Sequence, residues 1–157
     1  MREIVSFFLS GKSYGVDVSR MQGIEKYREL ARPSKMPEFL EGVADVRGEV
    51  IPVMAIRKHL ILPAAEVTEK TKLLVFRTKF GKIACVVDGI SKILKIDNND
   101  AQEFPRIIQN EETGYADFVA RNGGDLILVI NPENLLGEKD WNSIYEMLDR
   151  MEEEDDD

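Results

Sequence analysis

Two short stretches of this 157-residue chain combine residue types that bind phosphates or metal ions in other proteins. Gly11-Lys12-Ser13 ends like a phosphate-binding loop, but that motif needs a further glycine where Ser6 stands. Asp97-Asn98-Asn99-Asp100 offers the oxygen ligands that calcium prefers, but Gln102 stands where a calcium-binding loop needs glycine. We therefore predict a hairpin turn and a solvated loop at these places, with neither a cofactor nor a metal ion.

The single histidine and the single cysteine limit the nucleophilic and zinc chemistry open to the chain. Cys85 lies in the apolar run from Ile83 to Val87, which predicts a small core residue. His59 is expected at a surface helix end, and a zinc site would need carboxylates to complete it. The 29 acidic residues include no pair that the sequence singles out. An enzyme with an unrecognised carboxylate site therefore stays open as an alternative.

The remaining candidate is an arginine in an apolar hairpin. The segment from Glu41 to Val53 predicts two short strands bent around Arg47-Gly48-Glu49, with a positive φ at Gly48. A guanidinium group is always charged, and its five donors suit the carboxylates or backbone carbonyls of a partner. Arginine is also enriched among interface hot spots. The competing interpretation is an exposed turn residue, or one paired within the chain with Asp45 or Glu49.

Two segments of the chain recur in the same order, which indicates an internal duplication. Residues 14–24 recur as 80–90, and residues 43–53 recur as 119–129. The second pair shares Val-Ala, the turn glycine, the acid after it and an Ile-x-Val pattern. Because the later copy turns through Gly123, this hairpin does not require arginine.

Short apolar segments at regular spacing predict a mainly β fold. Strands are expected at 4–9, 14–18, 72–78, 82–87, 117–121 and 125–130. Their number suggests two small barrels or one sandwich, and the duplication favours two closely associated five-stranded barrels of SH3-like or OB-like type. We expect the first barrel-like half at about 1–66 and the second at about 67–137, within a single domain of residues 1–151.

The end of the chain predicts two helices and an acidic tail. Asn131 is expected to cap a short helix that ends at Gly137. Trp141, Ile144, Tyr145, Leu148 and Met151 fall at helical spacing, which predicts a helix over about 140–151 with Asp140 as its cap. We expect it to dock on the barrels, with an independent partner-binding helix as the alternative. Residues 152–157 are all acidic and are expected to be disordered.

Charge and hydropathy limit the partners of the chain. The formal net charge is −8, and the acidic tail carries most of it, so the body is nearly neutral. A neutral body without a basic stripe argues against nucleic acid. The apolar runs are too short to cross a bilayer, so no membrane insertion is expected. We see no signal peptide, and one cysteine is consistent with a reducing cytoplasm.

Four segments together resemble the CheW family of chemotaxis coupling proteins. They are Tyr14-Gly15-Val16-Asp17, Met21-Gln22-Gly23-Ile24, the stretch from Glu41 to Val53, and Val86-Val87-Asp88-Gly89-Ile90. The stretch that contains Arg47-Gly48 is similar to the signature Gly-Val-x-Asn-Leu-Arg-Gly-x-Ile-x-Pro-Val. The resemblance covers roughly Ile4 to Leu136 and implies two closely associated five-stranded barrels.

The resemblance also implies partners and binding residues. Family members have no catalytic activity, and they bind the regulatory domain of the histidine kinase CheA and the cytoplasmic tips of chemoreceptors within an array. Self-association inside such arrays is a further expectation, and a divergent paralogue that binds without coupling, or serves a non-motility kinase, stays an alternative. The partner-binding residues implied are Arg47, Val46, Gly48, Gly42, Asp45, Met21, Gln22 and Ile24.

The chain departs from the family pattern in and near the signature. Asp45 stands where asparagine is usual, Val46 where leucine is usual, Ala55 where aspartate is usual, and Gly23 where glutamate is common. Asp45 places a negative charge beside Arg47. We therefore expect that Asp45 could pair with the guanidinium group and occupy it.

Overall fold

The computed structural model describes residues 1–103 and 115–155. Within them lie eleven strands and two α-helices, joined by loops and three-residue 3-10 turns. These elements are β1 (Arg2–Leu9), β2 (Lys12–Asp17), β3 (Met21–Lys26), β4 (Leu40–Val46), β5 (Glu49–Met54), α1 (Ile56–His59), β6 (Lys72–Thr78), β7 (Gly81–Val87), β8 (Gly89–Ile96), β9 (Ala101–Glu103), β10 (Ala116–Asn122), β11 (Asp125–Ile130) and α2 (Glu138–Asp155).

The described strands form two sheets. The first, here called sheet A, has the order β8-β1-β2-β11-β10-β9, and the second, sheet B, has the order β3-β6-β7-β5-β4. The predicted mainly β class, with two subdomains and a C-terminal helix, is confirmed. Sheet B has the expected five strands, and the three-residue strand β9 adds a sixth to sheet A.

The two sheets exchange their hairpins. The early β1–β2 hairpin lies in sheet A, where β1 pairs with β8 and Tyr14 of β2 pairs in parallel with Leu128 of β11. The β6–β7 hairpin, its counterpart in the repeat, lies in sheet B, where Ala84 pairs in parallel with Val53. The predicted division into a first barrel over 1–66 and a second over 67–137 is therefore wrong, because each sheet contains strands from both halves.

The exchanged strands are buried on both faces, which explains the wrong division. In β6, Leu73 and Val75 pack into a core within sheet B, whereas Leu74 and Phe76 pack into a larger core shared by both sheets. Neighbouring residues alternate between the two faces of a strand, so a strand covered on both sides has a continuous apolar run. Such a run predicts a buried strand but does not say which sheet it joins.

Helix α2 docks on this shared core. Trp141, Ile144 and Met147 are buried in it, which confirms the expected docking, and the Tyr145 hydroxyl donates to the carbonyl of Phe80. The helix begins at Glu138 and not at 140. Asp140 is thus its third residue, and its Oδ2 accepts from the Gly137 N–H at 3.0 Å, as in one half of a capping box.

The acidic end of the chain is helical over part of its length. Residues 152–155 continue α2, so the prediction that the disordered tail begins at 152 is wrong for them. Residues 156 and 157 lie outside the described part of the chain. Upstream, Asn131 caps a 3-10 turn over Pro132–Asn134, because its side chain accepts from the Glu133 N–H at 3.0 Å.

A largely shielded arginine, Arg57, joins the two sheets where the chain crosses between them. Arg57, in α1 after β5, donates to Asp88 Oδ1 at 2.6 Å, to Ser10 Oγ at 2.7 Å and to the carbonyl of Pro63 at 2.7 Å. Asp88 separates β7 from β8, and its Oδ2 accepts from the Ser10 N–H in the β1–β2 turn at 2.8 Å. This Arg57 network therefore holds the exchanged hairpin against sheet B.

Replacing Arg57 tests this role. The Arg57 side chain is only 12% exposed, so Arg57→Met leaves Asp88 partly buried without its cation. We expect a loss of about 2 kcal/mol in the free energy of unfolding, because removing one partner of a partly buried pair leaves the other charge without its partner. The matched control is Lys82→Met, which breaks the exposed pair with Glu49 and should cost less than about 0.5 kcal/mol. Equal melting temperatures for the two variants would contradict the proposed role.

Candidate functional site

The turn between β4 and β5 places Arg47 and Gly48 at its two central positions. Val46 pairs with Glu49 across this two-residue loop, and φ is 55° at Arg47 and 85° at Gly48. Positive φ at both positions is the pattern of a type I′ turn, which matches the twist of a hairpin. The predicted positive φ at Gly48 is confirmed.

Arg47 occupies a backbone conformation that its side chain disfavours. A left-handed φ is uncommon for residues other than glycine, and asparagine and aspartate tolerate it better than arginine does. In the duplicated hairpin the equivalent position is Gly123, with φ of 64°. Glycine is therefore sufficient to form this turn, because the second copy of the hairpin forms it with Gly123. Retained strain of this kind often marks a functional position.

The expected pair between Asp45 and Arg47 is not formed in the structure. Asp45 Oδ1 accepts from the Gly48 N–H at 2.9 Å and so stabilises the turn. Glu49, the other expected partner, pairs with Lys82 at 2.7 Å. The guanidinium group of Arg47 is therefore not occupied by either neighbouring acid.

Arg47 instead contacts an acid from another strand. Its Nε donates to Glu25 Oε1 of β3 at 3.0 Å, and Glu25 Oε2 lies 3.6 Å from Nη2 of Arg28. The Arg47 side chain is 83% exposed, whereas that of Glu25 is 16% exposed. Among the residues that the structure describes, Nη1 and Nη2 of Arg47 have no hydrogen-bond partner. The outer end of the guanidinium group is available to another molecule.

Arg47 and Glu25 line a concave surface between the two edge strands of sheet B, and the space that it encloses has a volume of about 310 Å³. We call it the Arg47 surface. Gln22, Gly23, Ile24 and Glu25 come from β3, Val46, Arg47, Glu49 and Ile51 from the β4–β5 hairpin, and Val75 and Lys82 from β6 and β7. Ile24 is 44% exposed, and Val50 beside the turn is 46% exposed. The surface thus combines charged groups with the exposed aliphatic side chain of Ile24, and Val50 adds a second one beside the turn.

The structure brings together four of the predicted binding residues. Arg47, Val46, Gln22 and Ile24 line the Arg47 surface, with Gly48 and Asp45 at the adjoining turn. The other two lie elsewhere. Met21 is half-buried against the shared core, and Gly42 is buried at the far end of β4.

Gly42 has a structural reason to be glycine. A Cβ atom there would lie 2.5 Å from the carbonyl oxygen of Ala31. This approach is fixed by two hydrogen bonds between the backbones of Ala31 and Val43, at 2.8 and 2.9 Å. Its place in the signature is therefore explained by packing.

Two charged residues of the Arg47 surface were not predicted from the sequence. Glu25 and Lys82 lie on strands that are distant in sequence from the hairpin, and each forms an ion pair with one of its residues. Nothing local marks them, since both pairs depend on how sheet B brings its strands together. Only the alternation of β3, with Gln22, Ile24 and Lys26 exposed, could have indicated which face of that strand is accessible.

A second cavity, of about 440 Å³, lies beside the Arg57 network and includes Glu41. Burial raises the pKa of Glu41, although Arg32, Arg57 and Lys58 act in the opposite direction. A second acid of the lining, Asp88, already accepts from Arg57 and from the Ser10 backbone, and so has a structural task. Glu41 and Glu66 are the other two acids that line this cavity.

The two residues considered for nucleophilic chemistry are both shielded. Cys85 is buried in the shared core, as predicted, and burial raises the pKa of its thiol, which disfavours the reactive thiolate. His59 ends α1 and is half-buried, with its ring edge against Tyr115 at 5.5 Å between centroids. Burial lowers the pKa of His59, and Asp140 opposes that shift.

In residues 1–103 and 115–155 no group of three or more histidine, cysteine or acidic side chains is arranged to hold a metal ion. In the same part of the chain no helix combines the length and the apolar composition needed to span a membrane.

The fold and the Arg47 surface define a mainly β protein of two interlocked sheets whose candidate site is a concave surface at the open edge of one sheet. The family model of the CheW-like domain matches residues 3–140. The chain therefore belongs to the CheW-like domain family.

Known proteins with similar sequences share this family. The chemotaxis protein CheW of Bacillus subtilis is 23% identical over 134 residues, which cover 85% of this chain and 86% of that protein. The chemotaxis protein CheW of Klebsiella aerogenes is 24% identical over 139 residues, covering 88% and 84%. The crystal structure of the scaffolding protein TtCheW from Thermoanaerobacter tengcongensis has a TM-score of 0.79 at 22% identity, covering 88% of this chain and 94% of that one.

The packing of Gly42 gives a prediction about stability. We expect Gly42→Ala to lower the free energy of unfolding by about 1–3 kcal/mol, because its methyl group must displace the Ala31 backbone. Thermal or denaturant melting measures the effect. Gly124→Ala is the matched control, since no atom lies within 4 Å of its added Cβ, and its effect should stay within about 0.5 kcal/mol. Similar stability of both variants would show that Gly42 is not fixed by packing.

Proposed function

We propose that this protein is a non-enzymatic cytoplasmic adaptor that couples chemoreceptors to the regulatory domain of the histidine kinase CheA. Its membership of the CheW-like domain family supports this proposal, as do relatives named chemotaxis protein CheW and a structural neighbour described as a scaffolding protein. The strongest structural support is the state of Arg47. This arginine occupies a strained turn position, and the outer end of its guanidinium group is exposed.

The mechanism would be scaffolding. Nη1 and Nη2 of Arg47 offer donors in one plane, which suit a carboxylate or a pair of carbonyl oxygens on a partner. Ile24 lies on the same surface with a half-exposed aliphatic side chain, and Val50 is a second one beside the turn. Burying each against a partner would contribute about 1 kcal/mol. A central arginine with apolar neighbours is the composition of an interface hot spot.

Modest affinity for each partner would suffice. An adaptor held among many copies of the kinase and the receptor binds each of them at a high effective concentration. A signal would pass through the relative geometry of kinase and receptor, with no chemical step on this chain. We propose that residues 1–151 act as a single domain, because neither half can complete a sheet without the hairpin of the other.

Replacing Arg47 with the residue of the second copy separates folding from binding. Arg47→Gly should leave the free energy of unfolding within about 0.5 kcal/mol of the wild type, because relief of the left-handed strain offsets the added backbone freedom and the lost contact with Glu25. We expect its affinity for a partner fragment to fall about tenfold. Melting and calorimetric binding should use the same preparation, with the CheA regulatory domain and a receptor-tip fragment from the same organism.

Arg121→Ala is the matched control, because Arg121 is an exposed arginine beside the equivalent turn of sheet A. Arg121→Ala should change neither the free energy of unfolding nor the affinity for the partner fragment. A loss of stability with unchanged binding in Arg47→Gly would show that Arg47 is structural. Kinase binding without receptor-dependent activation would favour the non-coupling paralogue.

A further inference from the structure

Glu25 lies at the centre of the ionic contacts that surround Arg47. Its two oxygens face two arginines that come from opposite sides of a gap: Arg47 in the β4–β5 turn at 3.0 Å and Arg28 beyond β3 at 3.6 Å. The Glu25 carboxylate is largely shielded, whereas the arginine that it contacts is largely exposed. A shielded acid that contacts an exposed cation is suited to fixing the position of that cation.

The gap itself is where sheet B stays open. Its two edge strands, β3 and β4, are not paired with each other in the strand order. Side chains bridge them instead, since Arg28 Nη1 donates to the carbonyl of Asp45 at 2.9 Å and its Nε and Nη2 donate to the carbonyl of Lys26. Arg28 is thereby held by backbone contacts of its own. Arg47 has only its bond to Glu25 among the described residues.

We infer that Glu25 is a positioning residue for Arg47, and this inference rests on the proposed function. By accepting from Nε, Glu25 fixes the plane of the guanidinium group and directs Nη1 and Nη2 outwards. A long exposed side chain loses rotamer freedom when it binds a partner, and this loss of entropy weakens the binding. Ordering the side chain beforehand reduces the entropic cost. The single contact at Nε leaves the two outer nitrogens for the acceptor of the partner.

The charges around Arg47 are consistent with one side of the guanidinium group contacting Glu25 and the other side contacting a partner. Glu25 lies between two arginines, so its single negative charge does not cancel the positive charge of the pair. The other acid of the surface, Glu49, is already paired with Lys82. Arg47 can therefore be ordered by an acid and still present a net positive group to the partner.

A measurement without any partner tests the positioning role directly. Nitrogen-15 relaxation of the Arg47 Nε–H group should report an ordered side chain in the full-length wild type and a mobile one in Glu25→Ala. Glu25→Gln keeps an oxygen acceptor at the same place and should retain most of the order. Glu49→Ala is the matched control, because it removes the other acid of the surface and should leave Arg47 unchanged. Equal order in the wild type and Glu25→Ala would overturn the inference.

Binding then tests whether the order matters. We expect Glu25→Ala to weaken binding of the partner fragment about two- to fivefold, as for the loss of a partly exposed ion pair. In an Arg47→Gly background the same change should have no further effect, because no side chain remains to be positioned. An equal loss in both backgrounds would overturn the inference, because Glu25 would then act by another route. If the wild type binds neither fragment, the proposed function fails while the relaxation measurement still decides the role of Glu25.

Discussion

The shared core between the two sheets depends on the exchange of two hairpins. β1–β2 completes sheet A and β6–β7 completes sheet B, and strands of both hairpins bury one face in the core of their own sheet and the other in the core between the sheets. Large aromatic and aliphatic side chains, including Phe7, Phe76 and Trp141, fill that shared core. Because burial of such residues is the main favourable term in folding, the two halves must fold together. The Arg57 network and the docking of α2 both secure the same junction.

This arrangement leaves the β4–β5 turn outside the parts that hold the fold together. The turn lies at one edge of sheet B, where its two central residues contribute no side chain to any core. Sheet A makes the equivalent turn with glycine, so the backbone requirement is met without a charged residue. The fold thus tolerates Arg47 at a small local cost. Strand β3 of the same sheet holds Glu25 where it can contact Arg47, so the geometry of the site is set by the strand order of sheet B.

The sequence predicted the β class, most strands, the docked helix and the turn at Gly48, because each depends on local periodicity or turn chemistry. It did not predict the exchange of hairpins, because an apolar run such as Leu73 to Phe76 fits either sheet equally well. For the site, Arg47, Val46, Gln22 and Ile24 were named from a motif, and the structure places them on one surface. Glu25 was missed and the Asp45 pair was wrongly expected. The contact of Glu25 depends on which strands lie side by side, which neither spacing nor composition specifies. Asp45 instead accepts from the Gly48 N–H inside its own turn, a local contact that competes with the expected ion pair.

We propose that the edge of sheet B that carries Arg47 binds a partner. Amide hydrogen exchange of the full chain, alone and with the CheA regulatory domain or a receptor-tip fragment, tests this proposal. We expect at least one fragment to slow exchange in Met21–Lys26 and in the turn from Val46 to Val50. The equivalent turn of sheet A, from Asn122 to Asp125, should exchange at an unchanged rate. Protection confined to that second turn, with none at Arg47, would show that the partner does not bind at the Arg47 surface.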